Sequence, residues 1–151
     1  MTLIDRIRHL GDTPLANARR SIWWIRKTFF TKPRSSTPAL VVPLSKPEAT
    51  HLLGRHHFEP GWETSYRYRG EILNLRRAEH VDHSSGLNWW QVHIRGYNHP
   101  NGLELAAHFE TEPTEHPDAH IELFKLDVER GMATLTQLLD EHELEYNKLS
   151  K

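Results

Sequence analysis

Apolar positions follow a helical period near the N-terminus and an alternating period in the middle of the chain. A first short helix is predicted from three apolar residues at helical spacing, Ile4, Ile7 and Leu10. The run GDTP ends it. A second helix is predicted over residues 14–30, with Asp12 or Thr13 as its N-cap and Pro14 in its first turn.

The second helix is amphipathic. Its apolar stripe consists of Leu15, Ala18, Ile22, Ile25 and Phe29, widened by Trp23, Trp24 and Phe30. Four cations lie outside the stripe, Arg19, Arg20, Arg26 and Lys27. Such a helix packs on its own domain, on a second copy of the chain, on a membrane surface or on nucleic acid. The pattern alone leaves these alternatives open.

Residues 31–38, TKPRSSTP, are rich in Pro, Ser and Thr without any periodicity, which is typical of a boundary. Residues 39–44, ALVVPL, predict a short strand or an extended segment. Ser45 as N-cap and Pro47 near the start predict a short helix over residues 46–55.

The next part of the chain alternates with period 2 and predicts two hairpins. In SYRYRGEILNLRR the turn is placed at Arg69 and Gly70, so that Tyr66 faces Leu73. In WWQVHIRGYNHPNGLELAAHFE the turn is YNHPNG. The apolar face of this second hairpin is then Trp90, Val92, Ile94, Leu103, Leu105, Ala107 and Phe109. With Gly96 opposite Leu103, the other face presents His, Arg and Glu.

A last amphipathic helix is predicted from about residue 128, where one stripe holds Val128, Met132, Leu135, Leu138 and Leu139. The expected fold class is α+β. An antiparallel sheet of about four strands carries this C-terminal helix on its apolar face and has helices before it. The domains are predicted as a basic helical arm, residues 1–35, and an α+β domain, residues 36–151.

The amino-acid composition limits the kinds of functional site that the chain can form. The 151 residues include five Trp and no Cys, so disulfides and thiol chemistry are excluded, and a metal site would need His and carboxylates. There is no run of apolar residues long enough for a transmembrane helix, nor the apolar core of a signal peptide. We therefore expect a cytoplasmic protein.

The net charge of −1 hides an asymmetry. Residues 1–35 carry eight Arg and Lys against two Asp, a net of +6, and the remaining residues carry a net of −7. A basic arm points to an anionic partner, which nucleic acid, a membrane surface or an acidic protein could supply.

The candidate chemistry lies in residues 108–121, HFETEPTEHPDAHI. Four hypotheses compete. A zinc or manganese site could use His116 and His120 with Glu110 or Asp118. Metal-free phosphodiester cleavage could use histidines as acid and base, carboxylates to orient them and Arg to bind phosphate. The Arg residues with Tyr66, Tyr68, Trp89 and Trp90 could form a platform for single-stranded nucleic acid. The last hypothesis is a surface loop on a protein-contact domain.

A family resemblance favours one of these hypotheses, metal-free phosphodiester cleavage. WWQVHIRGYNHPNG and LELAAHFETEP, followed by HPDAH and a closing helix, resemble the TumE family of toxins in toxin–antitoxin systems, over roughly residues 64–140. Glu110 falls on the family's Asp position and Pro113 on its Pro, and His116 and His120 look like its second histidine segment. The resemblance implies a ribonuclease toxin with a cognate antitoxin protein as partner.

From the residues and the resemblance together, we predict RNA cleavage by acid–base chemistry without a cofactor. His120 and His108 would exchange protons, Glu110 would orient a histidine, and His116 is a second candidate for the proton role. Arg67, Arg76 and Arg95 would bind the substrate. Residues 14–30 are the expected docking surface for RNA, for the antitoxin or for a second copy in a homo-oligomer. The alternative is a binding protein that is not an enzyme, in which this basic helix engages nucleic acid, a membrane surface or a partner protein.

Overall fold

The structure is a computed structural model that describes residues 13–34, 37–62 and 65–149. The helix predicted from Ile4, Ile7 and Leu10 lies outside these residues. The helices are α1 (Pro14–Phe29), α2 (Lys46–Arg55), α3 (Pro117–Ile121) and α4 (Val128–Glu141). The strands are β1 (Thr31–Lys32), β2 (Ala39–Val42), β3 (Glu59–Pro60), β4 (Arg67–Tyr68), β5 (Glu71–His80), β6 (Trp89–His99), β7 (Gly102–Thr111) and β8 (Asn147–Leu149).

An antiparallel sheet is the centre of the fold, in the order β3-β5-β6-β7-β2-β8. The fold class is therefore α+β, as predicted. The sheet is wider than the expected four strands because β3 joins one edge, while β2, from the run ALVV, and β8 extend the other. All four residues of β2 are buried, since the strand has a neighbour on each side.

The C-terminal helix α4 packs on one face of the sheet, as its apolar stripe predicts. Leu135, Leu138 and Leu139 are buried against β6 and β7 in the hydrophobic core. The helix approaches β7 so closely at Gly131 that an added Cβ would lie 2.2 Å from the Cα of His108. The short helix α2 forms with the predicted bounds, and Ser45 and Glu48 make a reciprocal capping box at its start.

The first predicted hairpin is wrong. The turn at Arg69 and Gly70 is present, but β4 pairs in parallel with β1, Arg67 opposite Thr31, and not with β5. Two-residue turns favour hairpins, yet β5 pairs instead with β3 and with the long strand β6. Tyr66 therefore does not face Leu73, and it lies beside α1 instead.

The second hairpin forms with the predicted faces but a different register. The strands continue to His99 and Gly102, and the turn is reduced to Pro100 and Asn101. Gly96 consequently pairs with Leu105 and not with Leu103. Because the shift is two residues, every side chain keeps its face of the sheet.

Helix α1 packs on the rest of the domain through the face opposite its apolar stripe. Ala16 is buried, Arg20 pairs with Asp118 at 2.6 Å, and Arg19 pairs with Glu122. The stripe points away: Leu15, Ile22, Ile25 and Phe29 are 65, 51, 48 and 72% exposed. Among the described residues this stripe is therefore largely uncovered, although Ile22 borders a cleft over the sheet and Ile25 lies near Pro117 and Ile121.

None of the helices in the described ranges has the length and apolar character needed to cross a bilayer.

Candidate active site

A cleft of about 590 Å³ separates the polar face of the sheet from α1. Strands β6 and β7 supply its floor because their residues alternate strictly between the core and this face. Trp23 on α1 and Tyr66 before β4 contact each other edge-on, with ring centroids 6.1 Å apart, and both line the cleft. Helix α1 therefore covers the polar face of the sheet and partly encloses it.

Three histidines converge on one carboxylate at the floor of the cleft. The Oε1 atom of Glu110 lies 3.1 Å from Nδ1 of His93 and 3.2 Å from Nε2 of His108. Its Oε2 atom lies 3.6 Å from Nδ1 of His120. Gln91 donates from Nε2 to Oε1 at 2.8 Å. The carboxylate of Glu110 is therefore surrounded by nitrogen atoms on both of its oxygens.

The four groups differ in access to solvent. The side chains of His93 and Glu110 are 1% and 8% exposed, and those of His120 and His108 are 10% and 21% exposed. His93 and Glu110 therefore belong to the interior, while His108 and His120 can reach a molecule in the cleft. The two outer histidines are the ones with access for chemistry.

A second layer of hydrogen bonds fixes the ring of His93. The amide of Asn74 donates from Nδ2 to Glu71 at 2.7 Å and to Ser65 at 2.8 Å. Its Oδ1 atom therefore accepts from Nε2–H of His93 at 2.9 Å. This leaves Nδ1 of His93 as the atom directed at Glu110.

The interior pair has shifted pKa values. Burial, with a smaller contribution from the charge of Arg95, lowers the pKa of His93 to about 3. Burial alone would raise the pKa of Glu110, but the neighbouring His108, which donates to it, and His120 hold it well below 4.5. At neutral pH the interior therefore holds a neutral imidazole and a charged carboxylate.

Backbone and side-chain partners orient the outer histidines. Nδ1–H of His120 donates to the carbonyl of Thr111 at 2.9 Å, which leaves Nε2 free to take or give a proton. The ring of His120 also lies edge-on to Trp23, with centroids 5.9 Å apart. In His108, a proton on Nε2 donates to Glu110 and leaves Nδ1 as the basic nitrogen.

Cations surround the opening of the cleft. Arg19, Arg26, Lys32, Arg34 and Arg95 all line it. Arg34 pairs with Glu104, and Arg95 donates to Glu71 at 2.8 Å, so part of this charge is neutralised. Burial lowers the pKa of Lys32, and the neighbouring Arg95 and Arg26 lower it further. Like charges held this closely favour an anionic ligand between them.

Comparison of the chain with protein-family models, with curated proteins and with solved structures gave no match.

The fold brings four of the predicted site residues into one cleft, His108, Glu110, His120 and Arg95. His116 does not line it: its Nε2 accepts from the backbone N–H of Trp89 at 3.1 Å, and burial lowers its pKa. The hypothetical metal set of His116 and His120 with Glu110 or Asp118 is also not assembled, because His116 lies outside the cleft and the carboxylate of Asp118 binds Arg20.

Two of the predicted substrate-binding residues lie away from the cleft lining. Arg76 is on the same sheet face, but its guanidinium binds Glu112 at 2.6 Å and Glu59 at 3.3 Å. The guanidinium of Arg67 lies over the ring of Trp62, 5.1 Å from its centroid. Their role in substrate binding stays a prediction.

The residues not singled out from the sequence are those that support the site. Asn74 and Gln91 fix the interior pair, and Trp23 closes one side of the cleft. Of these features, the sequence could have indicated only the pairing of His93 with His108. A two-residue turn at Pro100 and Asn101 places His93 directly opposite His108, whereas the wider predicted turn placed Gln91 there.

Proposed function

We propose that this protein cleaves RNA by histidine acid–base chemistry in the cleft between α1 and the sheet. The observation that supports it is the arrangement of His108 and His120 on the two oxygens of one buried carboxylate, Glu110. A cation-lined opening above them suits a phosphodiester. The resemblance of residues 64–140 to TumE-type toxins leads to the same activity.

In the proposed reaction one histidine takes the proton of a 2′-hydroxyl group while the other gives a proton to the departing 5′-oxygen. His108 is the base, because Glu110 holds its Nε2–H and stabilises the imidazolium that forms. His120 is the acid, with Nε2 directed away from its bond to the carbonyl of Thr111. Arg26 and Lys32, which have no carboxylate partner among the described residues, stabilise the charge on phosphate.

The test is cleavage of an end-labelled single-stranded RNA by the pure protein, with and without EDTA. His120→Ala and His108→Ala should each lower the rate by roughly 100-fold or more, the usual contribution of a positioned acid or base. His116→Ala is the matched control, four residues from His120 and outside the cleft, and it should retain activity. A 2′-deoxy substitution at the scissile nucleotide should stop cleavage.

Equal losses in His116→Ala and His120→Ala would contradict the proposed site. Cleavage that persists in all three variants at the same rate would point to a contaminating nuclease and remove the proposal.

The second candidate function is partner binding without catalysis, and the exposed stripe of α1 favours it. Leu15, Ile22, Ile25 and Phe29 lie outside the hydrophobic core and are 48–72% exposed, although each is apolar. Together with Ala18 they are spaced alternately three and four residues apart, which is the spacing of a helix–helix seam. We infer that a second copy of the chain packs on this stripe. For the proposed ribonuclease, by contrast, the partner is an antitoxin protein, and RNA cleavage that stops on its addition would support it.

A further inference from the structure

The floor of the cleft has the composition of a metal site. Nδ1 of His93, Nε2 of His108 and a carboxylate oxygen of Glu110 all lie within 4.8 Å of one another. Among the described residues this is the one group of three His or acidic side chains with that property. Two imidazoles and one glutamate form a ligand set found at zinc sites that keep a fourth position open.

The distances suit a small ion. Ligand atoms about 2.0–2.1 Å from a tetrahedral zinc ion are about 3.3 Å from each other. Here the Oε1 atom of Glu110 lies 3.1 Å from His93 and 3.2 Å from His108. Two of the three distances within the cluster therefore already match a tetrahedral coordination shell, and the third, between the two imidazoles, is within 4.8 Å.

The surroundings are those that support a metal ligand. A histidine bound to a metal normally donates its other ring N–H to an oxygen acceptor, which fixes the tautomer. His93 does this through Nε2 to Oδ1 of Asn74, and Asn74 is itself held by Glu71. Gln91 gives the carboxylate of Glu110 a fixed orientation in the same way. Because these partners are buried, the ligand positions are set before any ion arrives.

We propose that His93, His108 and Glu110 bind one divalent transition-metal ion of the Zn²⁺ class, with the fourth position facing the cleft. Imidazole ligands select such ions over Mg²⁺ and Ca²⁺, which prefer oxygen. The ion binds the lone pair on Nε2 of His108. Without the ion, this nitrogen carries the proton that is donated to Glu110. The metal and the proton therefore compete for His108. It follows, if the proposed RNA cleavage is correct, that the ion inhibits it.

The binding test does not depend on activity. Protein freed of metal with a chelator is titrated with ZnCl₂ by calorimetry, and one ion per chain should bind. His108→Gln and Glu110→Gln each remove a ligand, so binding should weaken by more than the roughly 10–100-fold that loss of a supporting partner costs. His51→Gln, on the exposed side of α2, is the matched control and should bind like the wild type. MgCl₂ should give no binding.

Cobalt provides a second readout. CoCl₂ bound at this site should give the visible absorption of a four-coordinate ion, and His108→Gln should lose it. Circular dichroism of each variant establishes that it is folded. Failure of the wild type to bind zinc, or equal binding by His51→Gln, His108→Gln and Glu110→Gln, would overturn the site.

The effect on activity separates the two proposals. RNA cleavage should fall as zinc is added, with a midpoint equal to the calorimetric dissociation constant. Cleavage that rises with zinc would overturn the inhibitory role. Zinc binding in a protein that cleaves no RNA would leave the metal site standing and remove the proposed function. Cleavage without any zinc binding would do the reverse.

Discussion

At the residue scale, Glu110 determines the character of the cleft. It is buried, yet its pKa stays well below 4.5 because His108 donates to it and His120 lies close by. A buried carboxylate without such partners would instead take up a proton. Glu110 thus keeps a negative charge at the base of a cation-lined cleft, where it can polarise His108 and His120.

The pKa of His93 predicts how stability depends on pH. An unfolded chain protonates this histidine near pH 6.5, whereas the folded chain does so at about pH 3. Between these values the unfolded state binds more protons, so the free energy of unfolding falls as the pH is lowered. The slope approaches about 1.4 kcal/mol per pH unit for one such group.

Urea unfolding between pH 7 and 5, with EDTA present, tests this prediction. His93→Gln should remove the part of the slope that this residue contributes, and the exposed control His51→Gln should leave the slope unchanged. Parallel curves for the wild type and His93→Gln across this range would show that folding does not lower the pKa of His93.

At the element scale, the sequence could predict which face each strand presents but not which residues pair. Alternation assigned Ile94, Ala107 and Phe109 to the core, and they are buried. Pairing depends on the length of the turn, and the polar run YNHPNG is compatible with a wide loop or with two paired strand ends. The juxtaposition of His93 and His108 therefore needed the three-dimensional register.

Helix packing was the other element-scale feature that could not be predicted. The stripe of α1 indicated which side is apolar, but ion pairs from Arg19 and Arg20, together with Trp23, hold the opposite side to the body. Such contacts join residues about a hundred positions apart, for example Arg20 and Asp118. No local pattern predicts them.

The contact of α4 with the sheet gives an element-scale prediction. Alanine normally stabilises a helix relative to glycine by about 0.5–1 kcal/mol. Gly54→Ala in α2 should do so, because nothing lies within 4 Å of the added methyl group. Gly131→Ala should instead destabilise the protein, because the methyl group would lie 2.2 Å from the Cα of His108.

Thermal unfolding of the two variants measures the difference, and their activities add a second comparison. Since Gly131→Ala pushes on the backbone of β7 at His108, it should also lower RNA cleavage, while Gly54→Ala should not. Stabilisation by both substitutions would mean that α4 lies further from the sheet than described.

At the scale of the whole molecule, part of the charge asymmetry is neutralised by ion pairs within the chain. The basic arm pairs with the acidic body through Arg19 and Glu122, Arg20 and Asp118, and Arg34 and Glu104. These contacts seat α1 over the sheet and create the cleft. The arm therefore belongs structurally to the site, and an anionic partner has to bind the cations that remain, Arg26 and Lys32 among them.

The exposed stripe of α1 gives the last prediction, which concerns assembly. Among the described residues, apolar side chains on this helix face remain 48–72% exposed, whereas burial against a second copy removes them from water. Sedimentation or light scattering should show a dimer that dissociates on dilution.

The pair Ile22→Ser and Ile25→Ser should give a monomer with unchanged melting temperature at high dilution, because the stripe lies outside the hydrophobic core. Leu123→Ser, an exposed apolar residue that is not on α1, is the control and should remain dimeric. A wild-type protein that is monomeric at every concentration would contradict the assembly and leave the stripe to a different partner.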